Sequence, residues 1–194
     1  MLEQLIQLTI LFFVIIDPFA SFVVFITATQ SMKPKEKRKI AIYAVLVAVS
    51  LSYLVLFFGS KLLELFSTTL DEFRIAGGAV LCILGVKMAL GKSIVTDNFK
   101  DNSGRAMASI IGTPLLTGPA TITAILISIA DYGKLLTGSA VGIVLLFTAI
   151  IFFLSSNLSK VLGKTVIQVL STLLGLITLA WGVKFITVGI QHIF

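Results

Sequence analysis

The sequence predicts an all-α membrane protein of six transmembrane helices, arranged as two inverted three-helix repeats in which the first helix of each half is broken near the membrane midplane. Of its 194 residues, 57% are hydrophobic and 12% are charged, and the mean hydropathy is +1.09. Soluble domains carry about 25% charged residues. Because about 20 apolar helical residues span the hydrocarbon core, the chain has room for about six spans and for no separate soluble domain.

Six apolar segments follow one another with short links. They lie at about 4–30, 40–60, 74–91, 106–130, 135–159 and 165–191. The second, fourth and fifth contain no charged residue, whereas Asp17-Pro18 interrupts the first, and the third and sixth contain Lys87 and Lys184. The first segment is preceded by Glu3 and by no basic residue, which argues against a cleaved signal peptide.

Lysine and arginine concentrate in the links after the first, third and fifth segments. These links carry ten basic residues, and the other two links carry three. The positive-inside rule therefore predicts that the three basic links face the cytoplasm and that both termini of this multi-pass protein lie outside. The chain has 15 Lys and Arg against 9 Asp and Glu. We interpret this excess as setting the membrane topology and contacting the lipid bilayer, and not as nucleic-acid binding, because no nucleic-acid-binding motif accompanies it.

The single membrane domain, 1–194, divides into two similar halves. The polar link 92–105 separates repeat one, about 1–91, from repeat two, about 106–194. An offset of 97 residues aligns Gly78-x6-Gly85-Val86-Lys87 with Gly175-x6-Gly182-Val183-Lys184, and an offset of 96 aligns Asp17-Pro18 with Thr113-Pro114. Since each half has an odd number of spans, the halves enter the membrane from opposite sides, as in many secondary transporters. We expect the glycines to serve close helix packing and the two lysines to snorkel.

The chemistry follows from helix starts inside apolar segments. Asp17-Pro18 and Thr113-Pro114 are typical of an N-cap followed by the first helical residue, and Thr117-Gly118-Pro119 predicts a further helix start in the fourth segment. A broken helix is tolerated in lipid only where it faces protein or a wet cavity, so we expect the breaks to face one another. Helix N-termini suit a carboxylate, and Asp17 suits an ammonium group. The predicted site for a small zwitterion such as an amino acid comprises Asp17, Pro18, Ser21, Thr113, Pro114, Thr117, Gly118, Pro119 and Thr121.

Two purely structural interpretations stay open for these residues. Asp17 would then act only as a helix cap, and the prolines would only kink a helix for packing.

Several stretches resemble the signatures of the MarC family of inner-membrane proteins, within the LysE-like exporter superfamily. They are Asp17-Pro18-Phe19-Ala20 followed by Phe25, Ile75-Ala76-Gly77-Gly78, Thr113-Pro114-Leu115-Leu116-Thr117-Gly118-Pro119 and Leu174-Gly175-Leu176-Ile177. The resemblance covers the whole chain in order and implies a six-span protein; some members are described as transporters of small neutral amino acids. The chain departs from the family pattern at Ala20-Ser21, where Gly-Asn is usual, at Val23, where a proline is usual, and at Ser171-Thr172, where Glu-Arg is frequent.

A secondary transporter of small neutral amino acids or similar zwitterions is the predicted function, and a non-transporting membrane scaffold or assembly protein is the alternative. Enzymatic activity is not expected, and neither a cofactor nor a metal is, because the chain has one histidine, one cysteine and no nucleotide-binding loop. The expected partners are a small-molecule substrate and the bilayer. A coupling proton or sodium ion, the direction of transport and homo-oligomerisation are left open.

Overall fold

Helices make up almost all of the described residues of the computed structural model, which are 1–29, 32–65, 67–91, 116–155 and 164–193. No strand occurs within these ranges. The helices are α1 Leu2–Ile16, α2 Pro18–Ala28, α3 Pro34–Leu65, α4 Leu70–Ala89, α5 Pro119–Phe153 and α6 Lys164–Ile193.

Four stretches of these helices are long and apolar enough to cross a membrane. They are Leu2–Ile26, Pro34–Gly59, Pro119–Phe153 and Val169–Ile193. The helix α4 is not among them, and its first turns carry the charged side chains of Asp71, Glu72 and Arg74. The chain is therefore an all-α membrane protein, and the full set of six spans stays a prediction.

The helix bounds differ from the apolar segments in two informative places. The basic link expected at 31–39 largely belongs to α3, because Pro34 occupies a first helical position and the lysines continue the same helix. The link expected at 131–134 is reduced to one non-helical residue, Gly133, with φ 81° and ψ 164° inside α5. Since this φ is costly for a residue with a Cβ atom, glycine lets the chain change direction there without a loop.

Helices α4 and α6 pack closely through small residues. A Cβ atom added to Gly78 would lie 2.6 Å from the carbonyl oxygen of Gly182, and one added to Gly85 would lie 2.7 Å from that of Gly175. Because the obstructing atoms belong to the backbone, only glycine permits this approach. The prediction that these glycines serve helix packing is confirmed.

Helix α5 lies at the centre of the described structure, in contact with α1, α2, α3 and α4. Its buried residues pack against aromatic side chains of the N-terminal helices, as in the stacking of Phe152 on Phe25 with ring centroids 4.6 Å apart. Large apolar side chains such as Phe57, Phe58 and Leu146 are more than half exposed on the outer surface of the protein. A surface of this kind suits the acyl chains of a bilayer.

Candidate functional site

The first helix break lies at Asp17, as the sequence predicts. Helix α1 ends at Ile16, and Asp17 adopts the left-handed conformation with φ 41° and ψ 76°. Asp17 then caps the next helix, because its Oδ1 atom accepts a hydrogen bond from the backbone N–H of Ala20 at 3.2 Å. Asp17 thus ends one helix and begins another inside a single apolar stretch, Leu2–Ile26.

The second predicted break falls at the start of α5. Gly118 is the N-cap with extended backbone, Pro119 is the first helical residue, and no side chain among the described residues caps the helix. The first N–H groups of a helix have no partner within it, so this terminus keeps donors for another group. Thr117 connects this break to α3 by hydrogen bonding. Its hydroxyl donates to the carbonyl oxygen of Ala48 at 3.1 Å and lies 3.2 Å from Ser52 Oγ.

Residues from both breaks line one cavity of about 210 Å³, which we call the Asp17 cavity. Its polar side chains are those of Asp17, Ser21, Lys87 and Thr121. Gly118, Pro119 and apolar residues from α1 and α4 complete the wall. The described part of the second break therefore faces the first, across the same partly open cavity.

At each break, a side-chain hydroxyl donates a hydrogen bond to a backbone carbonyl oxygen. Ser21 Oγ donates to the carbonyl oxygen of Ile16 at 3.1 Å, and Thr121 Oγ1 donates to that of Leu116 at 3.2 Å. Each carbonyl lies before a break and would otherwise lack its helical donor. Because these hydroxyl protons are in use, Ser21 and Thr121 can offer only acceptor lone pairs to a ligand.

The carboxyl group of Asp17 keeps one free oxygen. Asp17 is 3% exposed, and its Oδ2 atom has no hydrogen-bond partner among the described residues. The hydroxyl of Ser171, on α6, lies beside this carboxyl group. Ser171 Oγ is likewise buried without a partner of good geometry, so the two groups are close without forming a regular hydrogen bond.

Most of the predicted site residues in the described ranges come together. Asp17, Ser21, Gly118, Pro119 and Thr121 line the Asp17 cavity. Pro18 and Thr117 are buried beside the breaks but are not among its lining residues. The predicted residues Thr113 and Pro114 lie outside the described part of the chain.

Sequence reasoning missed two polar residues near Asp17. Lys87, which was interpreted as snorkelling, lines the Asp17 cavity. Its repetition as Gly-Val-Lys in both halves was a usable signal. The sequence shows only that Ser171 replaces a residue that is frequently charged in the family pattern. This replacement does not predict that Ser171 lies close to Asp17.

Long apolar helices, one of them interrupted at Asp17, define the class as a polytopic α-helical membrane protein. The model of the MarC family of integral membrane proteins matches residues 2–194. The chain therefore belongs to the MarC family.

Relatives of similar length are found in archaea and bacteria. A UPF0056 membrane protein of Methanocaldococcus jannaschii is 31% identical over 188 residues, covering 92% of each chain. One from Escherichia coli is 30% identical over 192 residues, with 94% of this chain and 89% of the relative covered. One from Bacillus subtilis is 27% identical over 207 residues, with 100% and 97% covered. No solved structure matches the chain.

Proposed function

We propose that this protein is a secondary transporter of small neutral amino acids or similar small zwitterions, coupled to a proton or sodium ion, and that it is not an enzyme. The observation that carries the proposal is the free Oδ2 atom of buried Asp17 in a cavity shared with the uncapped N-terminus of α5. An ionised carboxylate buried with no cation beside it is costly even when one oxygen accepts a backbone hydrogen bond, so a positively charged group is the expected ligand.

The two ends of an amino acid match the two sides of the Asp17 cavity. An ammonium group would donate to Asp17 Oδ2 and to the lone pairs of Ser21 and Thr121. A carboxylate would accept from the first N–H groups of α5, with Lys87 as a further cation. The remaining wall is apolar, with Ile83, Leu84 and Met88 from α4. A volume of about 210 Å³ favours a small side chain over a large one, because drug-sized ligands occupy pockets of about 300–1,000 Å³.

The proposed architecture is a six-span inverted repeat in the inner membrane with both termini outside. Support comes from the antiparallel contact of α4 and α6, in which Gly78 packs on Gly182 and Gly85 packs on Gly175, two contacts that the 97-residue offset between the halves exchanges. Transporters of this architecture bind substrates near the midplane, between discontinuous helices. From Leu2 to Asp17 the helical rise is about 22 Å, a length that supports a first break well inside the bilayer.

Uptake into proteoliposomes tests the function. L-alanine should accumulate inside liposomes that contain the protein under an imposed proton or sodium gradient. Propionate and ethylamine, which each keep one charged end of L-alanine, should not accumulate, and liposomes without the protein give the background. If neither gradient, in either direction, moves glycine, L-alanine or L-serine, the proposal is wrong, and the scaffold alternative takes its place.

A further inference from the structure

A second and larger cavity lies between α1, α4, α5 and α6. Its volume is about 390 Å³, and it shares no lining residue with the Asp17 cavity. It contacts the middle of α1, whereas the Asp17 cavity contacts the end of that helix. We call it the Arg74 cavity. Polar groups come from Gln7, Arg74, Ser128, Asp131, Tyr132 and Lys184.

Arg74 is the central charged group of this cavity. It is only 4% exposed, and its guanidinium forms an ion pair with Asp131 of α5 through Nη2. The Nη1 atom lies 3.5 Å from Asp71 Oδ1 and 3.2 Å from His192 Nδ1. The Nε atom is buried and has no hydrogen-bond partner among the described residues. A buried donor without a partner is costly, so an acceptor supplied by a ligand would stabilise this arrangement.

The charges around the cavity balance. Arg74 and Lys184 are cations, and Asp71 and Asp131 are carboxylates, so the cluster sums to zero when His192 is neutral. A ligand with one charge would upset this balance, whereas a ligand with separated opposite charges would keep it. The other walls are apolar and include Trp181, whose ring centroid lies 4.6 Å from Lys184 Nζ.

We propose that the Arg74 cavity is a second binding site, which takes amino acids with large aliphatic or aromatic side chains. The ligand carboxylate accepts from Arg74 Nε and Lys184, and its ammonium group donates to Asp131. The side chain packs against Trp181 and Phe185, which line the same space. The class of ligand rests on the proposed function, but the site does not depend on Asp17.

The two cavity volumes have a functional consequence. A molecule such as L-leucine fits a space of about 390 Å³ better than one of about 210 Å³, because of its isobutyl side chain. Leucine bound in the Arg74 cavity therefore blocks the protein without being carried, whereas alanine proceeds to the Asp17 cavity. In the predicted orientation, the Arg74 cavity faces the outside of the cell.

Equilibrium binding of radiolabelled L-leucine to the purified full-length protein tests the inference. Val188→Phe fills the Arg74 cavity without changing its charge, and Val183→Phe makes the same change at a half-exposed position of α6 that does not line it. We expect saturable binding that Val188→Phe weakens about tenfold or more, while Val183→Phe and Asp17→Asn leave it unchanged. Lys184→Met should also weaken binding, without adding bulk to the cavity.

Several outcomes would overturn the inference. They are absence of saturable leucine binding to the unmodified protein, equal weakening by the two phenylalanine variants, loss of binding in Asp17→Asn, and leucine uptake as rapid as that of alanine. Failure of the proposed function is distinguishable, because alanine would then not be taken up while the binding of leucine remained sensitive to Val188→Phe.

Discussion

Cys82 and Leu179 meet in the contact between α4 and α6, where Cys82 Sγ lies 3.9 Å from the carbonyl oxygen of Leu179, and the two residues are 97 positions apart in the chain. Two glycine contacts flank this one, Gly78 on Gly182 and Gly175 on Gly85. The 97-residue offset relates Gly78 to Gly175 and Gly85 to Gly182, so it converts the first contact into the second. A two-fold axis through the Cys82–Leu179 contact would superimpose one helix on the other. An inverted repeat generates this relationship.

Enlarging a glycine of this contact should destabilise the protein. In Gly85→Ala the new methyl group would lie 2.6 Å from the backbone nitrogen of Leu179, which cannot move aside. We expect a loss of about 1–3 kcal/mol, seen as a lower Tm of the purified protein. Gly142→Ala is the matched control, because its methyl group would meet no backbone atom, only the Tyr53 side-chain hydroxyl at 2.9 Å, and the Tm should fall less. Equal effects of the two changes would refute the close α4–α6 contact.

The ion pair of Arg74 and Asp131 should contribute to stability as a pair. Arg74→Met leaves Asp131 and Asp71 without their cation, and we expect a loss of about 1–3 kcal/mol. Adding Asp131→Leu to Arg74→Met should recover part of this loss, because the uncompensated charge is reduced. A double-mutant cycle of thermal stability measures the coupling, and strictly additive losses would show that the pair is not coupled.

The first turn of α4 should show a dependence on pH. Hydrogen bonds from the backbone and side chain of Thr69 hold the pKa of Glu72 below its ordinary value. The stabilisation by ionised Glu72 is therefore fully present above the ordinary glutamate pKa, and it is lost as the pH falls through the lowered value. Glu72→Gln should have a lower Tm than the parent near neutral pH, and the difference should shrink in acid. A difference that grows as the pH falls would contradict the assignment of this capping box.

The predicted topology can be tested by cysteine labelling. In a Cys82→Ser background, Asn98→Cys and Asn102→Cys probe the central link, and Lys134→Cys probes the turn at Gly133. An impermeant maleimide should label only position 134 in intact cells, and all three after the cells are opened. Labelling of the 98 or 102 position in intact cells would invalidate the proposed orientation.

Much of the fold follows from residue pattern, and the polar details of the site follow much less. Asp17-Pro18 and Gly118-Pro119 start helices because capping and proline geometry act locally, and both starts were predicted from sequence. The approach of Ser171 to Asp17 depends on how α6 packs on α2, which no local pattern encodes. The Arg74 cavity was missed for the same reason, since its charges come from three separate helices.

Asp17→Asn shows whether the free oxygen of Asp17 binds the substrate. Asparagine keeps an oxygen that can cap α2 and nearly the same shape, but it removes the negative charge. L-alanine binding, proteoliposome uptake and Tm should be measured on the same purified variant. We expect a Tm close to that of the parent, with binding and uptake lost. Normal uptake at normal Tm would contradict this expectation and would leave Asp17 as a helix cap.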